Sequence, residues 1–298
     1  MTKTNFIITP AEIQASPLPP EFDSLTGPIP HTLLNDLMFR IVFEANPEAL
    51  RSLLCSLLRL KPEDILSMEI TNPIRLGEHI DEKNYIFDIY LLLNKEEKIH
   101  LELQVLRQNF WPERSLCYLC RSFDDLNPGE NYSQVKPAIQ IDILDFDLYP
   151  GCEEFYSAYH LANDKNHRIY SSKIALYVLD LNKEHFATEE DRAYKTDYWA
   201  RLFRAKTWEE LRMLVQECND LKPTVETIYR INAEEYARAQ LEAREDELRV
   251  QRTIQYQHEQ EIKERDKKLA EQQMLISEQQ VQIQHYEALL KAHGISVE

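Results

Sequence analysis

Two apolar runs joined by one polar turn constrain this chain more than any other feature. Tyr85-Ile86-Phe87-Asp88-Ile89-Tyr90-Leu91-Leu92-Leu93 passes through Asn94-Lys95-Glu96-Glu97 into Lys98-Ile99-His100-Leu101-Glu102-Leu103-Gln104-Val105-Leu106. Alternation in the second run sets His100, Glu102 and Gln104 on one face and Leu101, Leu103 and Val105 on the other. A hairpin whose loop has an odd number of residues allows Asp88 to lie opposite Glu102, with Ile86 opposite Gln104, so that the two carboxylates converge. A slip of one residue would turn Glu102 to the far face. Two hard oxygen ligands beside an amide make a seat for Mg²⁺. The bland alternative for the same pattern is a pair of solvent-facing acids on a half-buried sheet.

The 298 residues suit one large domain with additions, or two domains, and 43% hydrophobic content is enough for a packed core. Only five glycines stand against a heavy load of helix formers. The net charge of -17 counts against broad phosphate-backbone binding, which needs Lys and Arg. A nucleic-acid contact would therefore be confined to a small patch or screened by cations. The chain has no apolar window of spanning length and no secretory pattern at its start, so no membrane association is expected. Five scattered cysteines lead to the expectation of a reduced, cytoplasmic protein, with Cys117 and Cys120 as two half-buried thiols on a helix.

Residues 1–30 hold six prolines and read as an extended arm. A first helix is expected across Leu33–Phe43, capped by Asn35 or Asp36, and a second from Pro47 to Leu60. A strand over Ile65–Ile70 precedes the hairpin. After it come a helix from Pro112 to Leu126, with Leu116, Tyr118, Leu119 and Phe123 at helical spacing, and strands at Pro137–Phe146 and Ile174–Leu181. From Asp191 the pattern is helical, interrupted near Pro223. This succession predicts an α/β core, a mixed sheet flanked by helices. The expected domains are the arm 1–30, a core 31–237 with a helical C-terminal part, and a long helix 238–298. Along that helix Leu241, Leu248, Ile262, Leu269, Ile276, Ile283 and Leu290 recur every seven residues, broken at Gln255, and Gly294 is placed to end it. The positions three further on are polar, so the helix is either a self-associating coiled coil or a solvated helix packed by one stripe.

Asp88, thirteen intervening residues, then Glu102-Leu103-Gln104 form D-x13-E-x-Q, which resembles the PD-(D/E)XK nuclease superfamily. Further segments resemble its Rpn branch of recombination-promoting nucleases and transposases. They are Leu34–Phe43, Lys83 before Asp88, Glu113-Arg114 followed by Tyr118, Gly129–Tyr132, Ile139–Phe146, Tyr198–Phe203, and Tyr236 with Glu242-Ala243-Arg244-Glu245. The resemblance spans roughly residues 31 to 250, and its specificity lies in the order of several modest motifs.

The resemblance implies a restriction-endonuclease-like fold and a metal-dependent DNA endonuclease using Mg²⁺, for which Mn²⁺ can substitute. It implies that Asp88 and Glu102 hold the metal with the backbone carbonyl of Leu103. Gln104, in place of the usual Lys, would orient the attacking water or a phosphate oxygen. Asp36 is an outer carboxylate or simply a helix cap. Lys83 touches a phosphate or is an exposed edge lysine. Arg114 faces phosphate beside Arg107 and Lys83, or pairs with Glu113 or another nearby carboxylate. His100 reads as a rim histidine.

The implied partners are duplex DNA and a second copy of the chain. Other chemistries lack motifs: there is no phosphate-binding Gly loop, no H-E-x-x-H and no G-x-S-x-G. The alternative from another class is a catalytically silent nuclease-fold protein that serves as an oligomerisation or docking module.

Overall fold

The computed structural model describes residues 24–71, 74–75, 85–86, 88–124, 126 and 129–292. The chain divides into two units, Met1–Arg244 and Glu245–Glu298. The first is a six-stranded mixed sheet with helices. Helices α1 (Asp36–Ala45) and α2 (Pro47–Leu57) each start from an asparagine whose side chain accepts two backbone N–H groups, Asn35 and Asn46 respectively. Helix α2 stops three residues before the expected Leu60, and Arg59 takes a left-handed conformation at φ 56°.

The sheet contains β1 (Met68–Ile70), β4 (Ile89–Leu93), β5 (Glu97–Gln104), β6 (Ala138–Leu144), β7 (Tyr156–Tyr159) and β8 (Ile174–Asp180), in the order β1-β4-β5-β6-β8-β7. A separate ribbon pairs β2 (Ile74–Arg75) with β3 (Tyr85–Ile86). Strand β4 lies antiparallel to β5, while β5, β6 and β8 run parallel. Asn94 and Lys95 adopt positive φ in the turn, and Glu96 closes it by donating to the Leu93 carbonyl at 3.0 Å. Ile89 faces Leu101, so the ladder continued by one residue sets Asp88 against Glu102. The expected partnership of Ile86 with Gln104 does not form: β4 begins at Ile89, and Ile86 pairs with Ile74 instead.

Parallel neighbours require a crossover. Between β5 and β6 the crossover is α3 (Trp111–Phe123), and it covers one face of the sheet. The opposite face, with Ile99, Leu101, Leu103, Ile141 and Ile143, joins the main core with Phe39, Phe43, Trp199 and Phe203. Burying each such side chain contributes about 1.5–3 kcal/mol.

Both faces of β5 and β6 are therefore covered, and the face under α3 carries the polar His100, Glu102, Gln140 and Asp142 beside the apolar Leu144. The buried side of α3 is Trp111, Ser115, Tyr118, Leu119 and Ser122, while Leu116 points outward. Cys117 and Cys120 are exposed rather than half-buried.

Downstream come short helices α4 (Glu189–Ala193), α5 (Thr196–Arg204), α6 (Trp208–Glu217) and α7 (Lys222–Ala233), with a 3₁₀ turn at Asn219–Leu221 between the last two. The helical run breaks between Glu217 and Lys222, beside Pro223 as expected, and Pro223 itself sits in the first turn of α7, where its missing N–H costs nothing. Helix α8 (Glu235–Ala292) follows, with its residues to Arg244 in the first unit. The end of the proline-rich stretch is docked on the first unit, with Ile29 donating to the Lys206 carbonyl at 2.8 Å and Trp208 to the Gly27 carbonyl at 3.1 Å.

The second unit continues α8, and Ile262, Leu269, Ile276 and Ile283 are exposed along it at intervals of seven. Gly294 lies outside the described residues. Among the described residues, no helix is long and apolar enough to cross a membrane.

Candidate metal centre

Asp88 sits at a bend immediately before β4, and Glu102 lies near the end of β5. They engage each other's strands reciprocally. The carboxylate of Asp88 accepts the backbone N–H of Leu103 at 2.8 Å, and the backbone N–H of Asp88 serves the carboxylate of Glu102. Burial raises the Asp88 carboxyl well above its usual range, and the charge of Glu102 adds to that. The Leu103 N–H opposes the shift, and Asp36 is near enough to push it further up. Glu102 is raised to about 8, first by burial, with Arg114 pulling down and Asp142 pushing up.

Glu102 is 4% exposed and held at both oxygens. Its Oε1 accepts from Arg114 Nη2 at 3.3 Å, and its Oε2 lies 3.1 Å from His100 Nε2. The Arg114 guanidinium rests over the rings of Tyr118 and Trp111 and also donates to Gln108 at 3.1 Å. Arg114 pairs with a nearby carboxylate, that of Glu102. Gln104 ends β5, and its Nε2 donates to the Leu106 carbonyl at 2.7 Å. Arg107 is exposed just beyond, and Lys83 lies outside the described residues.

Asp36 is the first residue of α1, and the cap is Asn35. Its carboxylate accepts Arg244 Nε at 2.8 and 3.2 Å and also pairs with Nη2 of the same guanidinium.

His100 is not at a rim. It is fully buried because α3 covers the face it occupies, and its Nδ1 contacts Gln140 Oε1. Burial lowers its pKa to about 4, against the opposing pull of Asp142 and Asp88. Behind it, Gln140 Nε2 donates to Asp142 Oδ1 at 2.6 Å. Asp142 Oδ2 accepts Ser115 Oγ at 2.5 Å and Trp111 Nε1 at 3.0 Å. Gln140 lies beside His100 and Asp142 beside Glu102 in the parallel ladder. Sequence reasoning missed this set. The available signal was the common phase of two strands, with polar Gln140 and Asp142 alternating against Ile139, Ile141 and Ile143 just as His100 and Glu102 alternate against Leu101 and Leu103.

The donor set fits a hard divalent cation. The two neighbouring carboxyls are both shifted toward their protonated forms, because burial leaves negative charge there under-compensated. A dication would remove that penalty. Among the described residues no three His, Cys, Asp or Glu side chains form a ready cage. Coordination would therefore combine two carboxylates with backbone, water and substrate oxygens, the manner in which Mg²⁺ is usually held.

A mixed sheet with paired acids on an antiparallel hairpin, feeding a parallel crossover, defines a nuclease-type α/β fold. The family model of the PD-(D/E)XK nuclease family transposases matches residues 33–257, and the chain belongs to that family. Nucleases of this type generally use divalent metal ions. No curated protein and no solved structure matches the chain.

Proposed function

We propose that this chain is a Mg²⁺-dependent DNA endonuclease in which Asp88 and Glu102 hold the cation. What carries the reading is the pairing of Asp88 with Glu102 at the hairpin's D-x13-E-x-Q, both carboxyls raised first by burial and Asp88 further by the charge of Glu102. The bound metal would supply Lewis-acid polarisation of the scissile phosphate and acidify a water. The Leu103 N–H fixes the Asp88 carboxylate, and the Leu103 carbonyl is a further candidate ligand. Gln104 orients the attacking water once its amide leaves the Leu106 carbonyl. As an amide it brings no charge, so neutralisation of the transition state falls on the cations nearby, Arg114 first among them and Arg107 and Lys83 as further candidates. Asp36 shapes the field at Asp88 from α1.

Partners are duplex DNA and a second copy, whose association through the seven-residue stripe of α8 would set two sites against two strands. Plasmid incubated with the protein and Mg²⁺ should be nicked or linearised. Equal cutting by a double Asp88→Ala, Glu102→Ala variant would end the assignment.

The second reading is a catalytically silent docking module. It is favoured by one observation, the engagement of both Glu102 oxygens by His100 and Arg114. Calorimetry separates the two: Mn²⁺ binding that is lost with Glu102 supports the nuclease, and absence of binding supports the module.

A further inference from the structure

The chain between β7 and β8 doubles back as a narrow antiparallel ribbon. Ala162 pairs with Ile169, the Tyr170 N–H donates to the Leu161 carbonyl at 2.8 Å, and the Asn163 N–H donates to the Arg168 carbonyl at 3.0 Å. At the tip, the Asn163 side chain accepts the N–H groups of Lys165 and Asn166 at 2.9 and 3.3 Å, and the Asn166 side chain accepts that of Arg168 at 3.1 Å. Asparagine turns of this kind shape a tip without packing it on anything. Every residue from 158 to 170 is exposed, including Leu161, Ile169 and Tyr170. Leu161 and Tyr170 lie opposite each other, so alternation sets them on one face with Arg168 and leaves Ile169 on the other.

Charge distinguishes this ribbon from the chain that carries it. Residues 159–173 hold Lys165, Arg168 and Lys173 against one acid, Asp164, in a chain of net charge -17. Other surface cations pair with acids, as Lys195 does with Asp220, Arg201 with Glu217 and Arg249 with Asp246. Lys165 and Arg168 have no ion-pair partner among the described residues. A polyanion approaching an acidic protein meets least repulsion at such a place. Duplex DNA also suits the shape, because its major groove is about 12 Å wide and admits a two-stranded β-ribbon. The metal site is close enough to share the same duplex. Glu102 is level with Val178 across the parallel ladder, and the ribbon's second strand enters β8 at Ile174. Two strand spacings across and four residues along put its root about 16 Å from Glu102, about half a turn of duplex.

We propose that the ribbon 159–173 is a duplex-DNA contact that enters a groove, with Lys165 and Arg168 on the flanking phosphates and Leu161 and Tyr170 against base edges. The inference rests on the nuclease reading above and deepens it by naming an element that holds the substrate. Phosphate contacts position a duplex without choosing its sequence, so the ribbon sets affinity and placement and leaves the chemistry to the metal.

The test is duplex binding by the full chain in EDTA, with Glu102→Gln as the parent so that nothing is cut. Lys165→Gln with Arg168→Gln should weaken binding of a fluorescent duplex by about tenfold or more at about 0.1 M salt. The slope of log affinity against log salt should become shallower by about 1.8, or by about 0.9 for either substitution alone. Lys263→Gln with Lys267→Gln, both exposed on α8, removes the same charge and should change neither quantity. In the active chain the tip pair should raise KM for plasmid by a similar factor, while kcat stays within about twofold. Because the tip is exposed, its variants should unfold at the parent's urea midpoint.

A folded tip variant with the parent's affinity and slope overturns the proposal, and continued plasmid cutting by wild type leaves the nuclease reading standing. Equal weakening by the α8 pair overturns it too, since net charge alone would then be acting. Unchanged duplex binding with a shift in sedimentation makes the ribbon a protein contact and likewise ends the proposal. A parent that binds no duplex, beside a wild type that cuts none, overturns both readings.

Discussion

Arg114 reaches from α3 to Glu102, its Nη2 3.3 Å from Oε1, and so places one positive charge against the deeper of the two acids. That charge is the largest influence opposing burial at Glu102. Because the guanidinium is 38% exposed, solvent screens it, and its contribution to folding is small.

Its contribution to the site is expected to be larger. Arg114→Met retains the stem over Tyr118 and Trp111 and removes the charge. Plasmid cutting should fall about tenfold, the low end for a hydrogen bond to a charged group, while the thermal midpoint moves little. Cutting at wild-type rate would show that Arg114 is a surface contact only.

Asp88→Asn keeps an acceptor for the Leu103 N–H and deletes an acid whose ionisation burial and the charge of Glu102 oppose. Metal-free protein should therefore be as stable as wild type or more so, since an uncompensated buried acid is removed. Cutting should drop by about 10²-fold or more, comparable to removal of a central electrostatic group. Urea unfolding in EDTA and a plasmid assay read the two effects separately. Destabilisation of the variant would count against the repulsion described here.

Stability of metal-free protein should fall as pH rises from neutrality to about 8. The folded Glu102 pKa is about 8 against 4.5 for the ordinary side chain. Between those values the folded chain holds a proton that the unfolded chain has released, so stability is full below the lower value and declines as pH rises through about 8. Asp88, also raised, acts in the same direction. His100 does not oppose this, because its pKa is lowered from 6.5 to about 4 and it is neutral in both states above neutrality. Urea midpoints in EDTA should decline from about pH 7 to 8 and level off above that for wild type, and should lack this decline in Glu102→Gln. Parallel slopes for the two proteins would contradict the assignment of the raised group.

The hairpin and its register were legible because a three-residue turn and strict alternation leave few ways to pair two runs. The placement of Asp88 level with Glu102 follows from those local rules. What α3 would cover was not legible, since the face a crossover helix takes depends on sheet order. His100 consequently reads as a rim residue in the sequence and is fully buried in the fold. Strand β7 was missed because Tyr156-Ser157-Ala158-Tyr159 is a partly exposed edge with no apolar run to announce it. The breaks among α4, α5 and α6 were missed for a similar reason, while the one next to Pro223 was expected. Capping boxes at Thr188 and Thr207 mark two of those starts, but a uniform helical period hides them.

The aromatic centre of the main core should dominate folding energetics. Phe203 is fully buried, with its ring 6.0 Å from Phe39 and 6.4 Å from Phe43, while Phe43 also lies 6.0 Å from Trp199. Phe203→Ala removes a ring that α5 packs against Phe39 and Phe43 of α1, and should cost about 3–5 kcal/mol. Phe203→Leu retains most of the volume and should cost less than half of that. Because these residues lie on the far side of the sheet from His100 and Asp142, the Leu variant should cut DNA like wild type at temperatures where it is folded. Denaturant unfolding paired with the plasmid assay tests both halves. A Leu variant that is folded but fails to cut would mean that the core sets the geometry of the acids more tightly than the two intervening β-strands suggest.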